Sequence, residues 1–206
     1  MSVTVVDAGL GNLASVMGAL EALGVNGRIA EDPGNIDVAR AIILPGVGSF
    51  AEASARMEVA GWASALQQRA EAGGAILGIC LGMQLLASEG DEDGGARGLG
   101  VIPGRVRRME PAAGERIPHM GWNEVHPAGA NPLLEGVPEG ADFYFLHSYA
   151  FEVAEAADQW ATTPFAGGVA AVVGRGSVMG VQFHPEKSSR HGLRVLGNFL
   201  RGAGVC

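Results

Sequence analysis

Cys80 lies in the string Gly78-Ile79-Cys80-Leu81-Gly82, with a glycine two residues before it and another two residues after. A cysteine at the tip of a sharp turn, where a strand ends and a helix begins, can present its sulfur to a carbonyl carbon. Strand and helix approach each other at such a turn only where the flanking residues lack Cβ atoms, so the glycines serve the geometry. The first N-H groups of the helix and its dipole would favour the reactive thiolate. The Leu81 N-H would face the oxyanion formed on attack. Such a nucleophile needs a base, and the histidines are His119, His126, His147, His184 and His191. His184 stands out because it closes the apolar run 178–183 and is followed by Pro185 and Glu186. The proline stiffens the turn, letting the Glu186 carboxylate accept a hydrogen bond from the imidazole and fix its tautomer. The expected group is Cys80 as nucleophile, His184 as base and then acid, and Glu186 as orienting carboxylate. The competing readings are a free cysteine in an apolar core and a surface His-Pro-Glu turn.

These residues need a scaffold. Apolar runs at 3–7, 27–30, 41–44 and 75–79 read as strands, and they alternate with helical patterns at 13–23, 51–58 and 62–72. Continuous apolar strands alternating with helices indicate a parallel sheet covered on both faces, with sites at the carboxyl ends of its strands. Both Cys80 and the loop Pro45-Gly46-Val47-Gly48 fall at such ends, so Val47 and Gly48 can offer further N-H groups to the oxyanion. Beyond Gly98 the pattern changes to shorter strands at 104–109, 122–126, 142–151, 160–163, 168–173 and 178–183, with a final helix near 193–201. The expectation is one α/β domain over 1–206, with antiparallel extensions of the sheet.

The chain of 206 residues is 48% hydrophobic, enough for a sizeable core, and carries a formal charge of -8 with few, unclustered Lys and Arg. That balance argues against nucleic acid and anionic membranes. Two distant cysteines, Cys80 and Cys206, fit a reducing compartment better than a disulfide framework. Cys206 is taken as incidental. Asp7 interrupts the first apolar run before it reaches signal-peptide length, and the run 72–87 is shorter than a membrane span. A cytoplasmic protein is expected. No histidine pair has metal-ligand spacing, so no metal and no cofactor are expected. One alternative remains in Gly9-Leu10-Gly11-Asn12-Leu13-Ala14, which matches a dinucleotide-binding turn with Glu31 and Asp32 about 20 residues on.

Together, Gly78-Ile79-Cys80-Leu81-Gly82-Met83-Gln84 and Gln182-Phe183-His184-Pro185-Glu186-Lys187-Ser188 resemble the class I (triad) glutamine amidotransferases over nearly the whole chain. Within that class, Gly9-Leu10-Gly11-Asn12-Leu13, Pro118-His119-Met120-Gly121-Trp122-Asn123 and Tyr144-Phe145-Leu146-His147-Ser148-Tyr149 are similar to glutaminase subunits of imidazole glycerol phosphate synthases. The resemblance implies that Cys80 attacks the side-chain amide of glutamine, that ammonia leaves, and that water hydrolyses the γ-glutamyl thioester. It also implies glutamine contacts from Gly46, Gln84 and an acidic residue in 89–93, assigned to Glu92. A solvated acidic loop is the alternative there. Free ammonia protonates in water, so a chain used up by one glutaminase domain needs a receiver. In the family this is a cyclase subunit that makes imidazole glycerol phosphate and an aminoimidazole carboxamide ribotide. The docking surface of the heterodimer is placed around Asn12, Trp122 and Lys187. The alternatives are another class I amidotransferase subunit and a stand-alone cysteine hydrolase of γ-glutamyl compounds.

Overall fold

The computed structural model describes residues 3–205, without the side chains of residues 35, 37 and 38. Cys206 lies outside the described residues. The first half of the chain runs β1 (Val3–Val6), α1 (Leu13–Ala22), β2 (Gly27–Ala30), β3 (Ala41–Gly46), α2 (Phe50–Val59), α3 (Trp62–Glu71), β4 (Ala75–Cys80) and a one-turn α4 (Leu81–Gln84). The second half adds β5 (Glu89–Gly90), β6 (Ala96–Arg97), β7 (Gly104–Arg108), β8 (His119–Pro127), β9 (Ala141–His147), β10 (Tyr149–Val153), β11 (Gln159–Thr163), β12 (Val169–Arg175), β13 (Val178–Val181) and α5 (Ser189–Gly202).

Nine strands form a mixed sheet in the order β2-β1-β3-β4-β13-β12-β11-β8-β9. Its first five strands are parallel to their neighbours, and the remainder are antiparallel. Side chains alternate across a strand, so β1 and β3 send Val3, Val5 and Ile43 to one face and Val6, Ile42 and Leu44 to the other. The first face is covered by α1 and α5 through Val16, Leu20, Val195 and Phe199. The second is covered by α2 and α3 through Phe50, Met57, Trp62 and Leu66. This is the α/β fold with antiparallel extensions that the pattern implied. β3, β4 and β13 run the same way side by side, with Gly46 opposite Cys80 and Val181 opposite Ile79. Their carboxyl ends therefore meet at one edge.

Four differences from the sequence reading bear on the site. β3 does not stop before Pro45 but continues through Gly46, because pairing with β4 holds it to the elbow. The expected strand 142–151 is two strands broken at Ser148, β9 in the large sheet and β10 in a second sheet of order β10-β7-β5-β6. β7 belongs to that second sheet and not to an extension of the first. β13 ends at Val181, so His184 follows a bend instead of closing the strand.

Candidate active site

At the elbow, Cys80 adopts φ 54 and ψ -112, a backbone region costing a non-glycine residue about 1–3 kcal/mol. Close packing on both sides holds it there. A Cβ at Gly78 would stand 2.5 Å from the Gly82 carbonyl oxygen, and one at Gly82 would overlap the Leu44 carbonyl oxygen outright. The helix that follows is one turn long, so the dipole contribution expected from it is reduced. Its first N-H groups, Leu81 included, still lack intrahelical acceptors.

A pocket of about 270 Å³ opens over the sulfur, lined by Val47, Gly48, Cys80, Leu81, Gln84, Glu92, Pro118, Leu146, His147, Ser148, Tyr149, His184 and Lys187. Cys80 and His184 are 6% and 4% exposed, enough to be reached only from within it. His184 Nδ1 and Glu186 Oε1 are 2.8 Å apart, and the second carboxylate oxygen, Oε2, is buried with no partner among the described residues. Burial alone would lower the His184 pKa; hydrogen bonding and charge from Cys80 and Glu186 outweigh it and hold the pKa up at about 9. At neutral pH the imidazole therefore carries its proton. His184 is fastened at its backbone as well. Its N-H donates to the Tyr144 carbonyl (2.9 Å), its carbonyl accepts from the Ser188 hydroxyl (2.6 Å), and that hydroxyl accepts from the Tyr144 N-H (3.0 Å). A nucleophile, an imidazolium and a carboxylate at one sheet edge can carry out acyl transfer: attack by sulfur, then protonation of the leaving amine.

Sequence reasoning placed other residues less well. The Val47 N-H donates to the Leu10 carbonyl and so is not presented to the pocket, although Gly48 lines it with φ 107. Gly46 does not line the pocket; a Cβ there would meet Gly82 N at 2.8 Å, so its role is close packing of β3 on the elbow. Glu92 does line it, but Glu92 Oε2 accepts from the Phe50 N-H at 2.7 Å at the start of α2. Gln84 is brought in with both amide hydrogens engaged, by the Tyr149 carbonyl and Gln182 Oε1, each at 3.0 Å. Its Oε1 remains as the acceptor. Asn12 is exposed and caps α1, accepting from the Ser15 N-H. Trp122 is 55% exposed and edge-on to Tyr144, and Lys187 Nζ lies 5.8 Å over the same Tyr144 ring. The sequence reading missed the Leu146 carbonyl, 3.7 Å from Cys80 Sγ, and the Gln182 amide, also 3.7 Å from it. The signal for Gln182 was its place two residues before His184.

Fold and pocket together define an α/β protein with a cysteine elbow at the carboxyl edge of a mixed sheet. More specifically, the chain belongs to the family described as glutamine amidotransferase class-I, which matches residues 4–203. It is 47% identical over 197 residues to the imidazole glycerol phosphate synthase subunit HisH of Moorella thermoacetica, covering 96% of this chain and 93% of that one. The HisH subunits of Desulfitobacterium hafniense (47% over 195 residues, 95% and 92% covered) and Xylella fastidiosa (48% over 198 residues, 96% of each) are similar in the same way. Among solved structures, one described as a glutamine amidotransferase superposes with a TM-score of 0.75 at 23% identity, covering 98% and 99%. PurLQS from Thermotoga maritima gives 0.77 at 20% identity, covering 98% of each chain. At these identities the structural likeness is one of fold. No helix among the described residues is long and apolar enough to cross a membrane.

Proposed function

We propose that this chain is the glutaminase subunit of an imidazole glycerol phosphate synthase, with Cys80, His184 and Glu186 as its catalytic group. The observation that carries the reading is the pocket in which an elbow cysteine shares its walls with His184, itself paired to Glu186 at 2.8 Å. In this mechanism the Cys80 thiolate adds to the side-chain amide carbon of glutamine. The oxyanion is met by the N-H groups of Leu81 and Gly48, and protonated His184 gives its proton to the departing ammonia. His184 then takes a proton from water as that water attacks the γ-glutamyl thioester, releasing glutamate and restoring the thiolate. Glu186 keeps the imidazole oriented throughout. Gln84 Oε1 and the free oxygen of Glu92 are suited to accept from the α-ammonium of glutamine.

The ammonia passes to a cyclase partner. Val47, Met120, Trp122 and Leu146 are exposed by 48%, 63%, 55% and 38%, and Val47 and Leu146 also line the pocket. Apolar side chains gathered at the mouth of a reactive site favour a protein face there, with Trp122 and Lys187 within it. With its N-H held by the Leu10 carbonyl, Val47 is withheld as a third donor to the oxyanion, which supports a resting state of low activity, relieved when the partner reshapes the 45–48 loop and frees it. The test is glutamate release from glutamine by the purified chain alone, with the cyclase subunit of a HisH relative, and with that subunit plus its nucleotide ligand. Release that rises with partner and ligand, and is absent with Cys80→Ala, is expected. Full-rate release by the chain alone would leave a stand-alone hydrolase as the better reading.

A further inference from the structure

A directed chain of hydrogen bonds runs behind the pocket to the reactive sulfur. It centres on the Tyr149 carbonyl, which accepts from His147 Nδ1 at 2.8 Å and from Gln84 Nε2 at 3.0 Å. A carbonyl oxygen has lone pairs and no proton, so both neighbours must face it as donors. This places the His147 proton on Nδ1 and leaves Nε2 to accept from His119 Nδ1, 3.0 Å away. His119 Nε2 then accepts from the Asn123 amide at 3.1 Å. Both rings must be neutral for this pattern, and burial, the main cause in each case, lowers their pKa values to about 3 for His147 and about 4 for His119.

The other branch has the same logic. With its amide nitrogen turned to Tyr149, Gln84 gives its second hydrogen to Gln182 Oε1 at 3.0 Å. Gln182 therefore has only its own amide hydrogens left to present to Cys80 Sγ, 3.7 Å away. The sulfur also faces an acceptor, the Leu146 carbonyl, likewise at 3.7 Å. A thiol can donate to that carbonyl, whereas a thiolate can only be repelled by it. The donor from Gln182 is what compensates the ionised sulfur.

We infer that Gln182 stabilises the ionised form of Cys80 as a fixed hydrogen-bond donor, its direction set by the Tyr149 carbonyl through Gln84, and that His147 is a positioning residue that holds that carbonyl in place. The inference rests on the proposed role of Cys80 as nucleophile.

Alkylation of Cys80 by iodoacetamide tests it in the full-length chain, without glutamine or a partner. Mass spectrometry of the Cys80 peptide keeps Cys206 out of the reading. The titratable groups around the sulfur are His184 with Glu186 behind it, His147, and Glu92 and Lys187 in the pocket wall, and Gln182→Leu replaces none of them. That variant is expected to move the midpoint of the alkylation pH profile up by about half to one unit, slowing reaction on the acid side of that midpoint by roughly threefold to tenfold. His147→Phe should slow it in the same direction by roughly twofold to threefold. His147→Asn should restore the rate, since its amide nitrogen can donate to Tyr149 from the place of Nδ1. A folded Gln182→Leu protein with an unchanged profile would overturn the inference. If that variant does not fold, equal rates for His147→Phe, His147→Asn and the unmodified chain would overturn it equally. A Gln182-sensitive profile in a protein that releases no glutamate would count against the proposed function and leave this inference standing.

Discussion

Acidification should strike this fold through the buried His119–His147 pair. His119 is stacked between Phe145 and Phe165, at 4.6 and 4.1 Å between ring centroids, and bonded to His147 at 3.0 Å. Burial lowers the pKa of His119 to about 4 and that of His147 to about 3, against 6.5 in an unfolded chain. A ring with the lower pKa when folded takes its proton more readily when unfolded. The stability it supports is whole above about pH 6.5 and drains as the pH falls toward 4 and 3. Between pH 7 and about pH 4.5 the linkage comes to about 2–3 kcal/mol for each ring, roughly 5 kcal/mol for the pair. His184 acts in the opposite sense. Its pKa is raised to about 9, so its contribution is complete below about pH 6.5 and is lost as the pH rises through 9; acid returns only about 1 kcal/mol from this source. A net loss of about 4 kcal/mol is a large part of the 5–15 kcal/mol typical of a domain. Carboxylates also titrate in this range, so the assay compares thermal unfolding of the unmodified chain with His119→Phe, which keeps the stack and takes up no proton. The variant should lose about 2 kcal/mol less over the same pH interval. Parallel loss in the two proteins would refute the reasoning.

Three further outcomes follow from particular contacts. Gly82→Ala places a methyl group on the Leu44 carbonyl oxygen and should cost about 3 kcal/mol in denaturant unfolding, with loss of Cys80 reactivity; a variant as stable as the unmodified chain would contradict the packing argument. Glu186→Gln removes the carboxylate 2.8 Å from His184 Nδ1 and should lower glutaminase turnover by about a hundredfold or more, measured as glutamate released at saturating glutamine with the partner present. Trp122→Ala, at a side chain 55% exposed, should leave the melting temperature unchanged and weaken cyclase binding by about thirtyfold in titration calorimetry.

The residues that the structure brings together at the pocket were legible in the sequence because local geometry demands their spacing. A glycine-flanked cysteine and a His-Pro-Glu turn are readable from spacing alone, and alternating apolar runs announce the parallel half of the sheet. What stayed hidden depends on tertiary pairing. The run 142–151 is rich in aromatic residues and holds no Gly or Pro, and only the transfer of Tyr149–Val153 to pairing with β7 breaks it at Ser148. Pro45 reads as a strand terminator, yet its missing N-H does not prevent pairing opposite Ile79. The direction of the Val47 N-H depends on where the Leu10 carbonyl lies, and the orientation of Gln182 on a Tyr149 carbonyl 33 residues away in sequence. Glu92 was legible as a pocket acid but not as the carboxylate that holds the Phe50 N-H.

The central claim is that Cys80 carries the γ-glutamyl group of glutamine. It is tested most directly by acid-quenching the chain and its cyclase partner during turnover and reading the mass of the Cys80 peptide. The account predicts one γ-glutamyl group on Cys80, which disappears as glutamine is exhausted and accumulates when His184→Ala slows hydrolysis more than attack. Glutamate release with Cys80 unmodified at every quench time, and undiminished in Cys80→Ala, would contradict it.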